Sequence, residues 1–260
     1  MATTGTKRTI LVLHGYSQNA TVFSKRLGAL RKQCAKTVDF VFIDGPIILQ
    51  PADLPQVTLE ALGTSSEAIE MNESRGWWKW NGNRSEAIGL PESLEVLRDV
   101  LKTRKFDGVL GFSQGAAMGA LLSALLERPH TYPPFLVDGN TPHPPFQFCV
   151  AVSGFRPSGS IADAIFQTAY ATPTLHILGR TDVIVVEERS RKLIDISTNA
   201  RVEEHDGGHF VPSKGNWRKF LAAYLLDPTD NVPSPSLFPT AENSGTATPI
   251  DEPSTQVNKL

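Results

Sequence analysis

The 260-residue chain carries 25 basic and 27 acidic residues, a formal net charge of −2. That balance offers no basic excess to neutralise a phosphate backbone, so nucleic acid is not an expected partner. Two cysteines, Cys34 and Cys149, are too few for a disulfide scaffold or a four-thiolate zinc site. The 19 prolines exceed the roughly 5 % of an average chain, so part of the sequence must lie outside helix and strand interiors.

The N-terminal seven residues are short and polar, with no apolar leader, and a cytoplasmic home, with the nucleus open, is expected. The C-terminal Asn258-Lys259-Leu260 differs at one position from the peroxisomal Ser-Lys-Leu address, too weak a match to predict import.

In chain order, strands are predicted over residues 9–13, 39–43, 108–111, 148–152, 174–178 and 201–205. The first five read as buried on both faces, because most lack apolar/polar alternation. Between them, helices are predicted over 22–32, 91–104, 116–127, 185–197 and 216–225. In 91–104, Pro91 suits a first helical position, and Leu94, Leu97 and Leu101 recur at helical spacing. The alternation predicts an α/β fold with a mostly parallel central sheet and helices on both faces. The longest uncharged run, 109–126, divides into strand, turn and helix, and no membrane span is expected.

Residues 1–227 are expected to form one domain. Residues 46–89, without clean periodicity, form a candidate lid or cap. Six prolines cluster between Pro129 and Pro145, predicting a surface insertion over about 129–146 with His130 and His143 solvated. Six more fall from Pro228 on, and 228–260 is expected to be a disordered Pro/Ser/Thr-rich tail.

Gly111-Phe112-Ser113-Gln114-Gly115 follows an apolar strand and opens a small-residue helix. This is the nucleophile-elbow pattern, in which a sharp turn presents the serine and leaves no room for side chains two positions away. The bland alternative, three glycines at four-residue spacing that merely allow close helix packing, does not explain the switch from strand to helix at Ser113.

A serine hydroxyl needs a base, and the base an orienting acid. With the chain order Ser–acid–His, His209 in Asp206-Gly207-Gly208-His209 is the preferred base, ahead of His205; His176 is expected to pack inside a strand. The four-residue spacing of His205 and His209 would suit a metal on a helix, but Gly207 and Gly208 make a helix improbable there. No metal and no cofactor is expected. Asp182, after the strand and glycine turn Leu178-Gly179-Arg180-Thr181, is the preferred acid, with Glu187 and Asp206 as rivals. An oxyanion hole needs two backbone N–H groups: Gln114 supplies one candidate, and Tyr16, in the loop after the first strand, the other. His14 is read as structural. Trp77 and Trp78, with Trp80, are candidates either to line an acyl pocket or to anchor the lid.

Several segments in matching order carry a resemblance: LHGYSQNATVFSKRLGALRK, ESRGWWKW, FDGVLGFSQGAAM, AVSGF, LHILGRTDVIV and HDGGHFVPS. Over most of residues 7–226 the chain resembles the eukaryotic family of serine hydrolases, the FSH family. The resemblance implies an α/β-hydrolase fold and an esterase with its Ser-Asp-His triad at Ser113, Asp182 and His209. It departs from the family pattern after the acid: many members carry Pro at or near the position of Val185, whereas 183–186 here is entirely apolar. The expected partner is a small-molecule ester or thioester. A thioesterase releasing an acyl or polyketide chain from a carrier, as in fungal relatives, is the alternative; a catalytically idle binding module is the alternative of another class.

Overall fold

The structure, a computed structural model, describes residues 7–54, 74–229 and 231–237. Six strands form one sheet: β1 (Arg8–Leu13), β2 (Val38–Ile43), β3 (Gly108–Phe112), β4 (Phe148–Val152), β5 (Thr174–Gly179) and β6 (Ala200–His205). Their order is β6-β5-β4-β3-β1-β2, and every pair is parallel. All five residues of β3 and of β4 are buried. That is why these strands read as continuous apolar runs, while the edge strand β6 mixes buried and exposed positions.

Helices cover both faces. Around α1 (Ala20–Arg26), α2 (Gly28–Cys34) and the C-terminal helix, one apolar cluster gathers Phe23, Leu30, Phe148, Trp217 and Phe220. On the other face, α3 (Leu90–Thr103) and α4 (Gln114–Glu127) pack with Trp77 and Trp78. Helix α3 buries Leu94, Leu97 and Leu101, as its spacing predicts. Helix α4 is buried from Gln114 to Leu126, which accounts for its nearly uncharged sequence. Short α5 (Ser160–Ile165), α6 (Glu187–Ile194) and α7 (Gly215–Leu226) complete the set.

The register aligns the carboxyl ends of the central strands. Leu13 lies beside Gly111, Gly111 beside Ala151, and Val152 beside Ile177. Loops leaving β1, β3, β4, β5 and β6 therefore gather along one edge of the sheet, where ligands bind in open α/β folds.

Three expectations need correction, and a fourth lies partly outside the described residues. The helix predicted over 22–32 is two helices, separated at Leu27, whose φ of −85° and ψ of 7° break the helical run. In the expected lid, residues 55–73 lie outside the described residues; the remainder forms two small antiparallel pairs, Ile47–Ile48 with Arg75–Gly76 and Lys79–Trp80 with Ala87–Ile88. In the proline-rich insertion His130 is exposed, but His143 is buried: its Nε2 accepts the Phe106 N–H at 2.9 Å. Burial of the ring pushes its pKa down, which keeps that acceptor available. Finally, the start of the expected tail packs on the core. Val232 is buried, Ser234 Oγ donates to Glu203 at 2.9 Å, and Asn216 Nδ2 donates to the Pro235 carbonyl at 3.1 Å. Residues 238–260 lie outside the described residues. Among the described residues no helix is long and apolar enough to cross a membrane.

Candidate active site

Ser113 occupies the turn from β3 into α4 with φ 54° and ψ −116°. A non-glycine residue held at positive φ costs on the order of 1–3 kcal/mol and persists only where its surroundings fix it. Here its N–H donates to the Val152 carbonyl at 2.8 Å. The flanking glycines follow from contact distances. A Cβ on Gly111 would lie 2.2 Å from the Gly115 carbonyl oxygen, and one on Gly115 would lie 2.1 Å from that of Leu13. The pentapeptide is thus a packing requirement: strand, turn and helix cross too closely for any side chain at these two positions.

Three loops bring three of the expected residues together. His209 Nδ1 lies 2.7 Å from Asp182 Oδ2, and its Nε2 lies 3.0 Å from Ser113 Oγ. A carboxylate accepts, so the network assigns the imidazole proton to Nδ1 and leaves Nε2 to accept from the serine hydroxyl. Asp182 is nearly enclosed, its side chain 3 % exposed. Its second oxygen, Oδ1, accepts the N–H groups of Ile184 and Val185, each at 2.9 Å. Burial works against the carboxylate charge, but the bonds from His209 and the Val185 N–H outweigh it, and the pKa falls below the ordinary carboxylate value. The departure at Val185 is now intelligible, because a proline there would have no N–H to give Asp182. The acid and histidine loops are also tied together: Thr181 N–H donates to the Gly207 carbonyl at 3.1 Å and Arg180 N–H to that of His205 at 2.9 Å.

The two expected oxyanion donors flank the elbow. Neither the Tyr16 nor the Gln114 N–H is bonded to an acceptor among the described residues. The Tyr16 loop is held by His14, which is fully buried with its pKa lowered to about 4 by desolvation. Its Nε2 accepts the Gly45 N–H at 2.9 Å, so Nδ1 carries the proton and donates to the Gly15 carbonyl at 2.8 Å. Because the peptide unit is planar and trans, fixing the Gly15 carbonyl also fixes the opposite direction of the Tyr16 N–H.

Trp77 and Trp78, expected as pocket lining or lid anchors, have no accessible surface. Neither can line an open pocket, and their contacts are those of anchors. Trp77 Nε1 donates to the His14 carbonyl at 2.9 Å, and Trp78 meets Trp80 and Phe155 edge to face. The side chain of Gln114, which the sequence reading missed, completes the anchorage. Its Oε1 accepts the Trp77 N–H at 2.7 Å and its Nε2 donates to the Trp78 carbonyl at 2.8 Å. Nothing in the local sequence signals this contact, since the elbow pattern leaves the fourth position open.

The rivals are occupied elsewhere. His205 packs between Phe210 and Trp217, its Nδ1 accepting the Gly207 N–H. Glu187 pairs with Arg191 and Asp206 with Arg180. His176 is buried within β5, as expected. Among the described residues no group of three or more His, Cys, Asp or Glu side chains is placed to hold a metal ion.

Comparison with known proteins bears on the family and the fold. The esterase OVCA2 of Danio rerio is 35 % identical over 231 residues, covering 83 % of this chain and 95 % of that protein. A dihydrofolate reductase of Schizosaccharomyces pombe is 31 % identical over 227 residues, 86 % of this chain, which spans about half (48 %) of that relative's length. Among solved structures, Zea mays acyl-protein thioesterase 2 superposes with a TM-score of 0.54 at 19 % identity, covering 86 % of this chain and 95 % of that one; at that identity it attests the α/β-hydrolase fold. The family model described as "Serine hydrolase (FSH1)" matches residues 1–221, and the chain belongs to that family of serine hydrolases.

Proposed function

We propose that the chain hydrolyses carboxylic esters or thioesters through an acyl-enzyme on Ser113. The observation that carries this reading is the continuous chain of hydrogen bonds from Ser113 Oγ through His209 to Asp182. In the reaction, Ser113 Oγ attacks the substrate carbonyl carbon as its proton passes to His209 Nε2. Asp182 holds the Nδ1–H and stabilises the resulting imidazolium. The carbonyl oxygen, now negative, accepts from the Tyr16 and Gln114 N–H groups, neither of which has a competing acceptor among the described residues. Collapse of the tetrahedral intermediate breaks the bond to the leaving alcohol or thiol, which takes the proton from His209. Water, giving a proton to His209, then attacks the acyl carbon; collapse of this second tetrahedral intermediate breaks the bond to Ser113 Oγ, releases the carboxylic acid, and returns the proton from His209 to the serine oxygen.

Labelling with a fluorophosphonate tests the reading. The wild-type chain is expected to label and Ser113→Ala to remain unlabelled, with p-nitrophenyl butyrate turnover lost in parallel. Absence of labelling in the wild type overturns it, and labelling of both proteins moves the nucleophile to another serine.

A further inference from the structure

We propose that Phe112, the residue before the nucleophile, is a positioning residue for acyl transfer: its ring seats the His209 imidazole, and its π electrons stabilise the imidazolium that His209 becomes. This rests on the hydrolase reading above and adds a residue outside the triad and the oxyanion donors.

Two neighbouring residues of the elbow meet the same imidazole. Ser113 Oγ lies 3.0 Å from His209 Nε2, and the centre of the Phe112 ring lies 4.8 Å from that of His209, with the planes at 43°. That separation is inside the roughly 6 Å over which an aromatic ring attracts a cation. The Phe112 ring is itself fixed. It is buried, and Phe23 stacks on it with centres 6.0 Å apart and planes at 25°. Phe42 in turn meets Phe23 edge to face. The main chain of Gly15 also closes on the ring: a Cβ added there would lie 2.9 Å from Phe112 Cδ1. One ring therefore sets the spacing between the base and the turn that carries the Tyr16 N–H.

His209 is charged only while it holds the proton taken from the serine. A ring that favours the imidazolium therefore stabilises the transition state more than the ground state. Among the described residues, Asp182 is the charged group bonded to the imidazole. The other titratable groups of the adjoining loops are engaged elsewhere. Arg180 pairs with Asp206 and Glu204, and Arg189 lies over the Phe155 ring. Burial pushes the pKa of His205 down, between Phe210 and Trp217. All of these stay in place when Phe112 alone is changed.

The test replaces Phe112 site-specifically with 4-fluorophenylalanine and 3,4,5-trifluorophenylalanine, which keep the ring and withdraw charge from its face. Phe112→Leu keeps apolar bulk without π electrons. kcat, KM and the pH profile of kcat/KM are measured with p-nitrophenyl butyrate. The trifluoro variant should lose about threefold in kcat at unchanged KM, and the acid limb of kcat/KM should move about half a pH unit lower, the same factor read on the proton. The monofluoro variant should fall between it and wild type. Phe112→Leu should move the limb the same way and lose more in kcat, because the seat is lost as well. A folding defect lowers the plateau without moving the limb, and the fluorinated pair, close to isosteric, decides if Phe112→Leu fails to fold. Wild-type turnover with an acid limb that the fluorinated variants leave unmoved, or move upward, overturns the role of Phe112 alone. No Ser113-dependent turnover by the wild type overturns the hydrolase reading and this role with it.

Discussion

The side-chain amide of Gln114 grips the main chain of the tryptophan pair, accepting from the Trp77 N–H and donating to the Trp78 carbonyl. All of these groups are buried. The residue after the elbow serine thus ties the nucleophile's helix to the segment that covers it. Gln114→Ala would leave both backbone groups without partners, at about 1–3 kcal/mol each. Gln114→Glu keeps the acceptor for Trp77 but buries a carboxylate oxygen against the Trp78 carbonyl, so it should be at least as destabilising as alanine. Urea denaturation orders the three proteins; alanine as stable as wild type would show that the clamp contributes nothing.

Gly115 and Gly111 should resist substitution for steric reasons alone. An alanine Cβ at either position meets a backbone carbonyl oxygen at 2.1 or 2.2 Å, and no side chain can rotate away to relieve it. Each alanine variant should lose at least about 3 kcal/mol. Gly28 gives the contrast, with nothing within 4 Å of an added Cβ and a position in α2. Gly28→Ala should be neutral or stabilising by up to about 1 kcal/mol. Equal behaviour of the three variants in urea melts would contradict the packing argument.

The legible parts of the fold share one property: their cause is local. Strands β3 and β4 are buried on both faces, so an unbroken apolar run announces each of them. The serine turn is visible because two glycines are forced within five residues of one another. The order of Ser113, Asp182 and His209 follows the order of strand ends. What escaped the sequence depends on distant partners. The break at Leu27 is hidden because Phe23, Leu27 and Leu30 are all buried, so the apolar spacing runs across it. Burial of His143 answers a need of the Phe106 N–H 37 residues away, while its own proline-rich surroundings read as surface. The two short antiparallel pairs have strands of two residues, too few for any periodicity to register.

Burial assigns Trp78 to anchoring, so its truncation should affect stability rather than selectivity. Trp78→Ala empties a fully enclosed site packed by Trp80 and Phe155, at about 3–5 kcal/mol. The ranking of p-nitrophenyl esters by acyl length should stay as in the wild type while the melting temperature drops. A changed ranking at an unchanged melting temperature would return Trp78 to the pocket wall.

Two buried imidazoles make the protein sensitive to mild acid. Desolvation lowers both His14 and His176 from 6.5 to about 4, and His176 Nε2 has no hydrogen-bond partner among the described residues. Each folded value lies below the unfolded one, so the unfolded chain takes up the proton first as pH falls. The contribution of each ring is fully present above pH 6.5 and is lost on the way down to about pH 4, at up to about 1.4 kcal/mol per pH unit for each histidine. Asp182 acts in a lower window: its pKa is depressed below 3.8, and its contribution is lost only as pH falls through that lower folded value. His176→Leu removes one titrating ring and one unpartnered nitrogen while keeping an apolar side chain in the middle of β5. Between pH 6.5 and 4 the variant's stability should therefore fall less steeply than the wild type's, by about 1.4 kcal/mol per pH unit, and the two curves should run parallel above pH 7. Urea denaturation at half-unit intervals measures both slopes, and equal slopes across that window would show that His176 is already protonated in the folded chain.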